Sequence, residues 1–238
     1  MATRKDGVLT RQKLLDAAVH SFMDKGFHAS TVQDICKLAG VSPSSFLNAF
    51  RTKEGILYEL VGYMFRGQFK KARETVGKDA TPIMVYALET AIQLAVTDLK
   101  EHLRDIYVEA YTLPTTSQYI YHQTAAELYA IFGQYMPDAS EGDFYELEIA
   151  SGSVMRGYMA APSTPYLTLE KKVRLMLTVN FAIYHVPEDE QKRALDFIEK
   201  LPLRQLAAQI IEELTVAIKA DFSVNKTTAT TNNEEERK

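Results

Sequence analysis

At 238 residues, 46% hydrophobic and 24% charged, the chain can bury a sizeable core as one large or two small domains. No apolar run approaches the ~20 residues of a membrane span, and the start, MATRKDGVLT, carries no apolar stretch of the kind a secretory signal needs. The single cysteine, Cys36, excludes an internal disulfide framework and a multi-cysteine metal site, so a reducing cytoplasm is the expected compartment. The net charge of −4 hides an asymmetry. Residues 1–80 hold 13 basic and 8 acidic residues, a balance of +5, whereas residues 81–238 stand at −9. A basic head on an acidic body is what a chain shows when one end meets a polyanion.

In chain order, almost every segment has the 3.6-residue apolar period of a helix, and none has a period-2 alternation long enough for a sheet. Residues 1–9 read as a polar tail. Thr10 is expected to cap a first helix with Leu14, Leu15, Ala18 and Phe22 inward, ended by Gly26. Thr31, with Asp34 at the capping-box position, opens a short helix carrying Ile35 and Leu38, closed by Gly40. Ser42 caps a third helix with Pro43 in its first turn and Phe46 and Phe50 inward. Thr52 caps a fourth, from Lys53 to about Lys78.

Further helices are expected from Pro82 to Leu99, on to Tyr111, over 115–135, over 141–160 and over 166–185. A short amphipathic piece follows Pro187, and a last helix runs from Pro202 to about Phe222. Residues 223–238 are nearly free of apolar side chains and read as a disordered tail. The expected fold is all-α. Two units are expected, residues 1–53, to which the helix-turn-helix and DNA binding are assigned below, and residues 54–222, a helical unit to which the family resemblance below assigns effector binding and dimerisation.

The stretch from Thr31 to Phe50 carries the function. Two short helices joined by Ala39-Gly40-Val41 make a helix-turn-helix, whose second helix enters the major groove. In this reading Ile35, Leu38 and Val41 pack the pair against the first helix. Gln33, Ser42, Ser44, Ser45, Leu47 and Asn48 then face DNA, Asn48 being suited to adenine. Thr31 and Thr52 mark helix N-termini that suit phosphates, and Lys53 stands ready for a phosphate. By spacing alone, two capped helices in any helical protein fit as well.

The residues go further than spacing. Phe22-x-x-Lys25-Gly26-Phe27, Thr31-Val32-x-x-Ile35, Ala39-Gly40-Val41-Ser42 and Phe50-x-x-Lys53-Glu54-x-Ile56-Leu57 occur in that order. From about Thr10 to Phe65 the chain resembles the DNA-binding domain of the TetR (tetracycline-repressor-type) transcriptional regulators. The resemblance implies a homodimer on a two-fold operator in double-stranded DNA. It also implies a small-molecule effector held under the fourth helix, and two late helices per subunit making the dimer interface. Position 47, usually tyrosine in the family and a contact to the DNA backbone, is Leu47 here.

Beyond the head, tyrosines abound, and His102, Tyr107, Tyr111 and Tyr158 are the candidates to line an effector cavity. With few charges on the inward spacings, a mostly apolar or aromatic effector is expected, and a hinge near Leu99 would pass its effect to the fourth helix. The stripes Phe144, Leu147, Ser151, Val154, Tyr158 and Leu206, Ile210, Leu214, Ile218 are the dimer candidates. Five scattered histidines have no metal-ligand spacing, and no nucleophile-elbow or phosphate-loop motif occurs. No metal, cofactor or catalytic residue is expected. The reading is a ligand-responsive regulator, most simply a repressor. The alternative is a helical interaction or sensing module with weak or lost DNA binding.

Overall fold

The computed structural model describes residues 4–77 and 80–216, and every regular element among them is helical. The first four helices are α1 (Arg4–Lys25), α2 (Val32–Ala39), α3 (Pro43–Ala49) and α4 (Lys53–Val76). Then come α5 (Pro82–Leu99), α6 (Glu101–Ala110), α7 (Pro114–Phe132) with a 3-10 turn over Gly133–Tyr135, α8 (Glu141–Ala160), α9 (Leu169–Ile183) and α10 (Glu188–Ile198). A last helix, α11, spans 203–216.

The head is built by its caps. The Thr31 side chain accepts from the Asp34 N–H at 3.1 Å while Asp34 accepts from the Thr31 N–H, closing the expected capping box. Gly40 takes the left-handed φ of +64° that ends α2, and Val41 N–H returns to the Cys36 carbonyl at 3.1 Å. Ser42 and Thr52 cap α3 and α4 through the N–H groups of Ser45 and Gly55. A Cβ on Gly55 would lie 2.4 Å from the Phe50 carbonyl, so only glycine lets α4 start this close to the end of α3. Leu14, Phe22, Ile35, Phe46, Ile56 and Leu57 then close an apolar core with no exposure at all. Each such side chain contributes about 1.5–3 kcal/mol by leaving water.

The body is organised round α5, which is apolar on nearly every side and touches α4, α6, α7, α8, α9 and α10. At its C-terminal end an ion network crosses three helices. Asp98 meets Lys172 at 3.6 Å and Arg204 at 3.2 Å, and Arg204 reaches Glu170 at 2.8 Å. Lys172 is fully buried, and that burial pulls its ammonium below the usual lysine range while Asp98 pushes it back up. The Lys172 ammonium also donates to the Ala161 carbonyl at 2.6 Å, so it has two partners to offset its desolvation.

Two helices belong to both parts. In α4, Ile56, Leu57, Leu60 and Val61 complete the head core, and Phe69 and Ala72 lie further along the same helix. In α6, Ile106 and Ala110 join the head core while Leu103 and Tyr107 join the body core. Apolar residues three and four apart thus give α6 two working faces.

The structure corrects several expected bounds and faces. α1 begins at Arg4, so Thr10 lies inside it and residues 4–9 are helical; residues 1–3 are not described. The helix placed at 115–135 ends at Phe132 in a 3-10 turn, and the one placed at 166–185 spans Leu169–Ile183. Leu38, expected to pack inward, is 61% exposed. The stripe on α11 is buried in its own chain: Leu206 and Ile210 join the body core, and Leu214 packs where a Cβ on Gly67 of α4 would clash at 2.8 Å. Ile218 and the tail at 223–238 lie outside the described residues. On α8 the buried positions are Phe144, Glu148, Ser151, Gly152, Met155 and Met159, one residue round from the expected stripe. Leu147, Val154 and Tyr158 are only half-buried.

Candidate nucleic-acid interface and ligand cavity

The helix-turn-helix leaves one continuous surface exposed. On α2 it shows Gln33, Lys37 and Leu38, and on α3 Ser44, Leu47 and Asn48, with Leu47 58% exposed. Ser45 is half-buried. Three hydroxyls gather at the start of α3, where Ser42 Oγ is 2.8 Å from Ser44 Oγ and 2.9 Å from Ser45 Oγ. The surface is small and uncharged at its centre and carries cations at its edges, Lys37 on α2 and Arg51 just past α3. Both are exposed, and Arg51 is held at a φ of +63°.

Two expected phosphate contacts are already engaged inside the head. The Lys53 ammonium donates to the carbonyls of Phe27 at 2.7 Å and Ser30 at 3.0 Å and lies 4.3 Å from the Phe27 ring centre. Burial holds its pKa below the usual lysine range. Lys53 therefore ties α4 to the loop after α1 instead of facing outward. At the start of α2 the Asp34 carboxylate accepts from the Thr31 N–H and hydroxyl and the Thr31 oxygen accepts from the Asp34 N–H, so two of the N–H groups there are taken and a carboxylate already stands where a phosphate would come; its bonds to Thr31 hold the Asp34 pKa low. Thr31 and Thr52 are exposed but serve as caps.

Beneath α4 lies a cavity of about 40 Å³, room for a few waters. Val61, Met64, Phe65, Gln68 and Phe69 of α4 form its roof, and Tyr107 of α6 and Tyr111 just beyond it stand in its wall. Two other candidates lie elsewhere. His102 sits at the junction of head and body, its Nδ1 3.0 Å from where a Gly26 Cβ would be. Tyr158 packs at the rim of the body core, outside the cavity.

The expectation of few inward charges fails. Glu89 of α5 and Glu148 of α8 line the cavity at 3% and 5% exposure. Neither belongs to an ion pair among the described residues; Arg73, which acts weakly on Glu89, is bonded to Glu127 on α7. Desolvation pushes Glu89 up to about 8, with the charge of Glu148 adding to the shift, and pushes Glu148 up to about 7. Gln93 donates to Glu89 and accepts from the Tyr111 hydroxyl at 3.2 Å. Ser151 and Tyr184 donate to Glu148, Gln68 donates to the Tyr107 hydroxyl, and Asn180 donates to the Tyr86 hydroxyl. A signal for this network was present in the sequence: Glu89 and Gln93 interrupt an apolar helix four residues apart, on one face.

The comparisons follow the geometry. Residues 14–60, the head from mid-α1 into α4, match the model of the bacterial regulatory proteins, tetR family. Among curated relatives, the uncharacterized HTH-type transcriptional regulator YdgC of Bacillus subtilis (strain 168) is 33% identical over 97 residues, 38% of this chain and about half (49%) of its own length. The probable HTH-type transcriptional regulator YttP of the same strain is 25% identical over 173 residues, 71% of this chain and 77% of its own. The solved structure of the TetR family protein CprB from S. coelicolor A3(2) aligns at a TM-score of 0.44 and 15% identity, over 87% of this chain and 98% of that one. Among the described residues no helix is long and apolar enough to cross a membrane. The capped turn at Gly40 and the match over residues 14–60 give the head the DNA-binding domain of the bacterial regulatory proteins, tetR family, and the curated relatives are HTH-type transcriptional regulators.

Proposed function

We propose that the protein is a cytoplasmic repressor that binds a two-fold operator as a homodimer and leaves it when a small molecule enters the cavity under α4. The observation that carries this reading is the double membership of α4 and α6. Val61 of α4 lies in the head core and in the cavity wall, and α6 sets Ile106 and Ala110 against the head and Tyr107 against the cavity. A ligand wider than the present space must move α4 or α6, and neither moves without the head. Only a ligand that binds the widened form more tightly shifts the equilibrium.

In this reading α3 enters the major groove, Asn48, Ser44 and Ser45 reach base edges, Leu47 meets thymine methyls, and Gln33 and the Ser42 hydroxyl lie near the backbone. Lys37 and Arg51 take the backbone role first given to Lys53. A single short helix reads few bases, so two copies are needed. α8 and α9 are the dimer surface, because Ile149, Leu175 and Val179 are 43%, 37% and 38% exposed on their outer faces. Val179→Glu is expected to give a folded monomer by light scattering that no longer shifts operator DNA.

The experiment is a gel shift of the purified protein on its own promoter fragment, with salt titration. Binding at nanomolar to micromolar protein that weakens steeply with salt supports the reading. No binding at low salt would favour the sensing module without DNA contact, for which Leu47 in place of tyrosine is the supporting feature.

A further inference from the structure

The polar groups round the cavity are unequally matched. Acceptors are plentiful: the carboxyl groups of Glu89 and Glu148, and the side-chain carbonyl of Asn180. The side-chain amide donors are engaged, Gln93 on Glu89, Gln68 on Tyr107 and Asn180 on Tyr86. Asn180 is 1% exposed, and its Oδ1 is buried with no hydrogen-bond partner. Such an orphan is unfavourable until something donates to it. Among the described residues no lysine, arginine or histidine lines the cavity.

One further feature shapes the space beside Glu148. A Cβ on Gly152 would lie 2.9 Å from the Tyr121 ring, and 3.5 Å from both Glu148 Oε1 and the Tyr111 ring. Glycine there keeps two aromatic rings and a carboxylate oxygen converging on one point. Aromatic faces beside carboxyl groups, with a spare carbonyl and no cation, complement a positive charge carried on N–H donors. An anion would meet two acidic carboxyl groups and, among the described residues, no cation to offset them.

We infer that the effector is an organic cation, an aromatic or alkyl ammonium whose N–H groups donate to Asn180 Oδ1 and to the Glu89 and Glu148 carboxylates while its apolar part lies against the tyrosine and phenylalanine rings. This rests on the cavity being the effector site and names the chemical class it takes. The body of the effector stays apolar and aromatic, as the wall requires; the charge is what two buried glutamates add. Burial pushes both carboxyl groups above the ordinary carboxylate value, and an ammonium beside them would stabilise their ionised forms.

The test uses three molecules of one shape and three charges: 2-phenylethylamine, 2-phenylethanol and phenylacetate. Binding to the full-length protein is read by thermal shift and by release of promoter DNA at pH 7.5. The expected result is stabilisation and DNA release by the amine, weaker effects from the alcohol and none from the acid. Glu148→Gln and Glu89→Gln each reduce the amine's affinity roughly tenfold, within the usual range of such couplings, and leave the alcohol's unchanged. Glutamine keeps the shape, and a melting temperature and promoter affinity like the parent's show that each variant is folded. Equal effects of amine and alcohol, preference for the acid, no binding of the amine, or no loss in either variant would overturn the inference. Normal promoter binding with no amine binding sinks this inference alone. Amine binding without promoter binding sinks the repressor reading and leaves the cavity's chemistry standing.

Discussion

The head and the cavity side of the body bury polar groups in different ways. In the head, the buried Ser21 hydroxyl donates to Ser30 at 2.7 Å, Ser30 donates to the Gly26 carbonyl at 2.8 Å, and Lys53 closes two further carbonyls. The chain of bonds is complete, and the surrounding core is apolar. In the body, Glu89 and Glu148 are buried without a cation, and Asn180 Oδ1 is buried without a donor. On the proposed function, a head that fits DNA in one shape gains from closed bonding, whereas a cavity that takes up a molecule keeps bonding capacity open. The two are held together by α4 and α6, which on the proposed function makes the cost left in one part a lever on the other.

The largest test of the contrast is to open the head's core. Phe46→Ala removes a side chain with no exposure and should cost about 3–5 kcal/mol. DNA binding should vanish, and thermal unfolding should show the loss. A variant with unchanged melting would mean the head's core is not what holds its shape.

In the body, two buried carboxyl groups tie stability to pH near neutrality. Glu89 and Glu148 stand above the ordinary carboxylate value when folded, so the folded chain holds more protons than the unfolded chain between about pH 4.5 and 8. These two groups therefore contribute stability below that window, and the contribution is lost as pH rises through it. The parent should lose a few kcal/mol of unfolding free energy from this source between pH 5 and pH 9. Glu89→Gln should flatten that slope, as read by urea unfolding at each pH. An equally steep slope in Glu89→Gln would remove Glu89 from the argument.

Lys53 and Arg51 separate scaffold from contact within the head. Lys53→Ala leaves the carbonyls of Phe27 and Ser30 without their donor and should cost about 1–3 kcal/mol of stability. The salt slope of promoter binding should not change. Arg51→Ala should do the reverse, leaving stability nearly unaltered and lowering the slope by about one unit per site. A reduced slope for Lys53→Ala in the folded protein would return Lys53 to the DNA surface. The smallest effect expected is from Leu47→Tyr, which adds a hydroxyl for the DNA backbone and should tighten promoter binding by about 1 kcal/mol or less without moving the melting temperature.

Much of the head was legible because its signals are local. Thr31 with Asp34, Gly40, Ser42 with Pro43, and Thr52 each act within four residues, and each cap appears where its residue type demands. The body was harder. On α8 the apolar residue Leu147 drew the stripe one position off, because Glu148 looks like a surface residue until neighbouring helices bury it. Leu206, Ile210 and Leu214 read equally well as an interface and as core, since a periodic stripe names a buried face without naming what buries it.

By itself the sequence determined the all-helical class, the helix-turn-helix with its exposed Ser44, Leu47 and Asn48, and the family that its head matches. It did so because caps, turns and helical periods are fixed by neighbours along the chain. Only the tertiary structure decided that Lys53 points inward, that His102 and Tyr158 stand away from the cavity, and that Glu89, Glu148 and Asn180 meet inside it. Those facts depend on the packing of helices far apart in sequence. Charge placement along one helix does not show which face its partners will take out of water.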